Sequence, residues 1–474
     1  MGLLDFFRSK PAPQPPQPAI SARYDAAQTN DKNVFHWAES DLLSATAANT
    51  RAVRQTLRRR ARYESANSSY CRGIVLTLAN DTIGCGPTLQ LKTASEDADD
   101  VIETAWERWC EEVALDEKLR IIVQSTCVDG EVFGLFITNN ALKGPVKLDL
   151  KLIEADQVTT PVPKLQMTQP VDGIELDERT KEPRYYHLLK NHPGDMFVTQ
   201  ILEFDRIPAS RIVHMMNRDR PGQQRGIPEI TAAIPLFAQL RRFTGAVLES
   251  AEANASIAGI LKTTAPPNEA QPVEPFSPIK LNRGSIIAMP DGWDMQQASS
   301  ASPNATYAMF KNEIINEIAR CISMPFNVAA CNSATYNYAS GRLDHQVYGR
   351  SIKVKRSILE SRVLAKVFFA WLEEAILVTP AIIPDSAGDP DEWILQWAWD
   401  SGEHVDPLKE ANALTIRLQN NMTTFATEYA KMGRDWKVEL RQRAAEREFL
   451  KELGLDDPTP QQQQQQQQDA AAPD

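Results

Sequence analysis

The sequence predicts an α+β protein built from several structural units. Three observations carry that reading. Between residues 132 and 216 apolar and polar side chains alternate with the period of half-buried strands. Much of the remaining chain shows the three- and four-residue apolar spacing of helices. Between two of those helices lies a proline-studded segment, residues 259–304, that resembles neither neighbour. At 474 residues the chain is long enough to bury a sizeable core.

Apolar residues make up 42% of the chain and charged residues 24%, with a net charge of −11. A chain this acidic repels nucleic acid as a whole, so any DNA contact must be local or weak. The cysteines (Cys71, Cys85, Cys110, Cys127, Cys321, Cys331) form no C-x-x-C pair and read as reduced thiols in a cytosolic compartment. Asp5 interrupts the short apolar run at the N-terminus, which makes it a poor signal peptide. The longest apolar run, Val367–Leu372, falls far short of the roughly 20 residues of a membrane-spanning helix. The expectation is a soluble protein with no membrane partner.

Residues 1–22 are a proline-rich arm and residues 459–474 a glutamine-rich tail, both disordered by composition. The first folded stretch is a helix from Asp41 to about Glu64, with Ser44 or Thr46 as early caps. Arg51, Arg54, Arg58 and Arg62 form one stripe on it, and like charges at that spacing want anionic partners. DNA phosphate is one candidate. Salt bridges to this chain's own carboxylates, or a neighbour's, are the reading we prefer. Gly84-Cys-Gly86 reads as a tight turn, because Pro87 removes a donor that a phosphate cradle would need.

Helix 98–118 carries Trp106 and Trp109 and is expected to pack on the sheet that follows. Its strands are Val132–Thr138 after a turn at Asp129-Gly130, then an alternating run through Val146 and Leu152, and Ile212–Met216. Gly173–Leu176 and Arg184–Leu189 make a hairpin around Asp177–Thr180. A helix rich in small residues runs from Leu236 to about Ala258, which permits close approach of another helix. Strand Ile257–Lys262, loop Pro266–Pro278, strand Ser285–Met289 and the turn Pro290-Asp-Gly follow. The next helix, Ala305 to Ile322, is expected to bury Met309, Phe310, Ile314, Ile315 and Ile318.

After Pro325 the polar stretch 332–341 precedes a helix from Asp344 to about Leu377, roughly 50 Å long. Its opening is basic: Arg342, Arg350, Lys353, Lys355, Arg356, Arg362 and Lys366 against Asp344 and Glu360. Trp393, Leu395, Trp397 and Trp399 alternate as a strand. Three helices close the body: 407–419 with Asp406 at its cap, 424–432 stopped by Gly433, and 435–453 stopped by Gly454.

Nothing in the sequence demands catalysis. It contains no phosphate-binding P-loop, H-E-x-x-H, G-x-S-x-G or calcium-loop pattern. His187 and His192 lie close in sequence, but one sits in a strand and the other in a loop, and no second pair accompanies them. No catalytic residue, metal ligand or cofactor is assigned.

Several strings, read in order, resemble those of the lambda-type phage portal family: Arg23–Thr29, Asn33–Trp37, Leu57–Glu64 with Asn67 and Tyr70, Leu78–Pro87, Arg218–Gln223 with Arg225–Pro228, and Val405–Glu410. The similarity spans about residues 20–455. It implies a homo-oligomeric, typically dodecameric ring at one capsid vertex, through which double-stranded DNA is packaged, held and ejected. The implied architecture is an α/β wing, a helical stem, a small β clip, a long tunnel helix and a helical crown. Mapped by order, the wing is 23–235, the stem 236–258 and 305–325, and the clip 259–304. The tunnel loop and long helix are 326–380, and the C-terminal wing and crown 381–458. The implied partners are the terminase large subunit, major capsid and scaffold proteins, and head–tail connector proteins. The DNA-channel candidates are Asn332, Tyr336, Asn337, Tyr338, Ser340, Arg342, Arg350 and Lys353. The basic run is read either as phosphate contact, Arg342 first, or as bridges to a neighbouring subunit. Rival readings are another ring-forming head–tail protein, disfavoured by length, and a nucleic-acid enzyme, disfavoured by the lack of clustered carboxylates.

Overall fold

The expected opening helix is broken in two. In the computed structural model, which describes residues 34–38, 40–160, 171–195, 203–256, 260–263, 293–296, 306–334, 336–379, 382–400, 407–432 and 434–455, α1 (Ala45–Ala48) is capped by Ser44 and α2 (Arg51–Asn67) by Thr50, not Thr46. Each hydroxyl accepts a backbone N–H that the first turn cannot satisfy internally. Asn49 fills the break, its buried amide donating to the Arg225 carbonyl at 2.9 Å. A third helix, α3 (Ser69–Ile83), was not expected. It buries Cys71, Ile74, Val75, Leu78 and Ala79 at three- and four-residue spacing, but Gly73 and Leu76 on its exposed side blur the apolar stripe in sequence.

Past β1 (Thr88–Lys92), the expected helix 98–118 proves to be two. α4 (Glu96–Glu112) ends where Ala114 takes a left-handed φ of 51°, and α5 (Leu115–Asp129) continues in a new direction onto α2 and α3. β2 (Glu131–Thr138) follows the Gly130 turn as expected. Gly130 has φ +85°, and a Cβ there would lie 2.4 Å from the Ile227 carbonyl carbon, so no larger residue fits.

β2 is the centre of a three-stranded antiparallel sheet, flanked by β3 (Leu148–Ile153) and β7 (Ile212–Met216). A second sheet holds β4 (Ile174–Leu176), β5 (Pro183–Leu189) and β6 (Phe204–Pro208), with β4 and β5 forming the expected hairpin. β1 pairs far along the chain with β10 (Ile394–Ala398).

The tryptophans of α4 pack on more than a sheet. Trp106 meets Trp109 at 4.9 Å, Phe368 at 5.3 Å, Trp371 at 5.4 Å and Trp397 of β10 at 6.1 Å. Trp371, packed against Trp106 and Phe368, is 1% exposed. Trp371→Ala is therefore expected to lower the unfolding free energy by about 3–5 kcal/mol, read from chemical denaturation monitored by fluorescence. A loss under about 1 kcal/mol would show that the cavity collapses and the cluster is not central.

α6 (Ile234–Ser256) and α7 (Thr306–Cys321) match the two helices expected around the insertion. Between them β8 (Ile260–Thr263) pairs with β9 (Trp293–Gln296), which starts three residues beyond Pro290. Pro266–Pro278 and Ser285–Met289 lie outside the described residues. α7 buries Ile315 and Ile318, but Met309 and Phe310 are 63% and 53% exposed, contrary to expectation. The apolar stripe is real, but α6 covers its first turns only in part: Phe243 lies 5.6 Å from the Tyr307 ring and 5.1 Å from that of Phe310, and Met309 stays exposed.

A short helix, α8 (Phe326–Ala330), precedes the polar stretch. The long helix starts six residues earlier than expected, at Tyr338, and runs as α9 (Tyr338–Leu359), one π turn (Glu360–Leu364) and α10 (Ala365–Val378). That is about 60 Å of continuous helix. Gly341 lies inside its first turns. The body closes with α11 (Pro407–Gln419), α12 (Phe425–Lys431) and α13 (Trp436–Glu452), the last ended by Gly454 at φ +70°. Asp406, Gly433, the proline-rich arm and the glutamine tail lie outside the described residues.

Candidate nucleic-acid interface

The N-terminal turn of α9 is locked by a reciprocal cap. The Asn337 side chain accepts the Ser340 N–H at 2.9 Å, and the Ser340 hydroxyl accepts the Asn337 N–H at 3.2 Å. Two of the sequence-derived channel candidates thus hold the helix start while remaining exposed. Asn332 is exposed, its side chain accepting the Ala334 N–H. Tyr336 is half-buried, and burial together with Asp344 raises its hydroxyl pKa. Tyr338 begins the helix, and its side chain is outside the described set.

Apart from Lys366, which is exposed in α10, the basic run behind this turn divides into two groups. Lys355 pairs with Glu229 at 2.6 Å. Arg356 donates to the carbonyls of Thr82, Asp81 and Asp400 and stands 5.1 Å from the Trp399 ring. Arg362 donates to the Met216 carbonyl. These three are structural. Arg342, Arg350 and Lys353 are exposed and have no ionic partner among the described residues. They form the exposed cationic flank of α9.

The arginine stripe of α2 has a different fate. Arg54 pairs with Asp172 at 2.8 Å, and Arg58 with Glu131 at 2.5 Å and Asp156 at 3.0 Å. Arg62 reaches Asp129 at 2.6 Å, Glu154 at 3.1 Å and Asp156 at 2.9 Å. Three of the four arginines of the stripe are thus spent inside the chain, on its own carboxylates; Arg51, at its start, is half-buried and has no ion pair among the described residues. Arg59 and Arg60 remain exposed.

Glu131 is the hub of this cluster and was missed from sequence. It is 0% exposed, and it also accepts from Arg225 at 2.7 Å, His214 at 3.1 Å and the Gly226 N–H at 2.8 Å. Burial alone would raise its pKa; Arg225, His214 and Arg58 overcome that and hold it well below the usual carboxylate range. Burial and the nearby Arg225 push Arg54 down to about 9. A Cβ at Gly226 would lie 2.1 Å from the Gly130 carbonyl oxygen, so only glycine brings its N–H to Glu131. The signal available in sequence was the Arg225-Gly-Ile-Pro string, without its partner.

His214 is wedged between Glu131, the Tyr186 hydroxyl at 3.4 Å and the face of Phe133 at 4.3 Å. Burial lowers its pKa despite Glu131. A histidine so depressed is neutral in the fold, while the unfolded chain takes up a proton below about pH 6.5. Stability is therefore expected to fall as pH drops from about 6.5 toward the folded pKa, with no such slope at higher pH. Thermal unfolding of His214→Gln should lose that part of the slope; an unchanged slope would assign it to other groups.

Glu154, Asp156 and His192 bring ligand atoms within 4.8 Å of one another, but the Arg62 guanidinium already bridges the two carboxylates. His187, the other histidine of the sequence pair, is turned to Glu175 at 2.7 Å. The two do not converge.

Residues 37–356 match the family model described as phage portal protein, lambda family. The probable portal protein of Halomonas phage phiHAP-1 is 26% identical over 441 residues, covering 85% of this chain and 82% of that protein. The portal protein of Escherichia phage N15 is 20% identical over 317 residues, covering 60% of each chain. Portal protein B of Escherichia phage lambda is 21% identical over 193 residues, 38% of this chain and 35% of that one. Among solved structures, chains from the neck of an empty gene transfer agent particle, with C6 symmetry, and of a native one, with C12 symmetry, cover 80% of this chain and 93% of theirs. They share 13% identity at TM-scores of 0.48 and 0.45, and they carry no weight in the assignment. The match over residues 37–356 does: this chain belongs to the lambda family of phage portal proteins.

Proposed function

We propose that the chain assembles into a dodecameric ring at one capsid vertex and that double-stranded DNA passes through its centre during packaging, retention and ejection. In this reading residues 23–235 form the wing, α6 and α7 the stem, 259–304 the clip, 326–380 the tunnel loop and long helix, and 381–458 the C-terminal wing and crown. The terminase large subunit docks at the clip, and head–tail connector proteins later take its place. Major capsid and scaffold proteins surround the ring, which forms in the host cytoplasm and ends in the virion. The chain performs no catalysis; force comes from the terminase.

One observation carries the DNA role. In a chain of net charge −11, the polar turn 332–337 delivers a capped helix whose exposed flank presents cations with no ionic partner among the described residues, Arg342 nearest the turn. An acidic body with a few local cations lets DNA slide without sticking, and phosphate contacts suit any sequence because they carry no base information. Asn332, Tyr336, Asn337, Tyr338 and Ser340 complete the DNA-facing turn, with Arg350 and Lys353 further along the same helix. The test is assembly: negative-stain imaging and mass photometry of the purified chain should show rings with a central hole. A species that stays at 53.0 kDa across concentration and salt would overturn the reading.

A further inference from the structure

Two surfaces of this chain lack a cover among the described residues, and their chemistries are complementary. The first is a groove of about 1010 Å³ between α6 and α7, with Leu236, Phe243, Ala246, Phe310 and Ile314 along its apolar floor. The second is a stripe on α9 in which Leu343, Val347 and Val354 are 65%, 53% and 60% exposed. Spacings of four and seven residues place these three side chains on one face, over about 16 Å of helix. The opposite side of α9 is packed against α3, where the Tyr348 hydroxyl donates to Asp81 at 2.8 Å. Apolar surface left bare on both a groove and a ridge marks an interaction site.

Charge says what fits. Glu313 and Glu317 stand one turn apart on the α7 wall of the groove, exposed and with no cation within the chain among the described residues. Arg350 and Lys353 stand one turn apart beside the α9 stripe, exposed and with no carboxylate among the described residues. Each pair supplies what the other lacks. Arg320 continues the α7 face one turn beyond Glu317, and Arg242 lies on the α6 wall. The acidic part of the groove is therefore confined to one turn, which limits the register: sliding α9 along it would bring like charges together.

We propose that the α9 stripe of one copy lies in the α6–α7 groove of the next, with Arg350 and Lys353 against Glu313 and Glu317. This deepens the ring reading and rests on it. Groove and stripe are different surfaces, so the contact is heterologous; it propagates head to tail and closes into a ring where the rotation permits. Arg350 and Lys353 then serve subunit contact, which leaves Arg342, two turns nearer the polar loop, as the cation open to the channel.

A heterologous contact makes a distinctive prediction. Two full-length variants are prepared, Glu313→Lys with Glu317→Lys, and Arg350→Glu with Lys353→Glu. Each alone juxtaposes like charges at every interface, so the concentration for half-assembly should rise by about a hundredfold or more. Mixed in equal amounts, the two should form rings again, because alternating chains set like pairs apart and leave Glu against Lys or Arg where the charges meet. Such rings contain an even number of chains by mass photometry. A single chain carrying all four substitutions should assemble too. Mixing cannot rescue a misfolded chain, so recovery separates an interface effect from a folding defect. Rings from either variant alone, at wild-type concentrations, overturn the proposal while leaving the ring intact. Failure of both the mixture and the four-substitution chain overturns it as well. A wild-type chain that stays at 53.0 kDa overturns the ring reading itself.

Discussion

Glu131→Gln is expected to cost about 3–5 kcal/mol of unfolding free energy, the largest loss for a single polar substitution in this chain. The wild-type carboxylate sits fully buried between Arg58 and Arg225, which are themselves 4% and 3% exposed at the side chain. An amide of nearly the same shape keeps the packing but removes the counter-charge that the two buried guanidinium groups share, leaving Arg58 with Asp156 at 3.0 Å and Arg225 with Asp172 only at 3.9 Å. Removing one partner of a buried pair is far more damaging than replacing the pair with apolar groups, because the remaining charge is stranded. The folded pKa of Glu131 is held well below 4.5. Its contribution is thus fully present above that unfolded value and is lost only as pH falls toward the folded pKa. Chemical denaturation near neutral pH should show the full difference between wild type and variant, and the two should converge in strong acid. A loss below about 1 kcal/mol at neutral pH would mean that the arginines find other partners.

Arg342→Ala should leave ring formation untouched and weaken the hold on DNA. The side chain is exposed in the first turns of α9 and has no partner in the chain among the described residues. Removing one phosphate contact lowers the slope of log affinity against log salt by about one, and a ring multiplies that effect over its subunits. Titration of purified rings with short duplex DNA at several salt concentrations reads this directly, and packaging and retention assays read its consequence. Rings that weaken before any DNA is present would assign Arg342 to a neighbouring subunit. Normal rings with normal DNA handling would remove it from both roles.

Much of the secondary structure was legible because local pattern decides it. β2 follows the turn at Asp129-Gly130, where Gly130 alone tolerates φ +85° against Ile227. The β4–β5 hairpin follows from the charged turn at Asp177–Thr180, whose first carboxylate accepts the N–H groups of Arg179 and Thr180. The amphipathic spacing of α6, α7 and the long helix is equally local. Locality also set the limits. The Asp344 boundary failed because Asn337 and Ser340 cap each other and start the helix six residues earlier, at Tyr338.

Composition, period and turn chemistry thus determined that this is an α+β chain, acidic and local in any DNA contact, and the ordered strings determined its family resemblance. Tertiary structure decided which cations are spent. Arg58 and Arg342 look alike in sequence, yet one lies against Glu131, 73 residues away, and the other faces solvent. It decided that α3 and α5 bury their apolar faces against each other, and that β1 pairs with β10 across most of the chain. These outcomes depend on which distant surface arrives opposite a side chain, and burial turns a mild local preference into a several-kcal/mol demand for one particular partner.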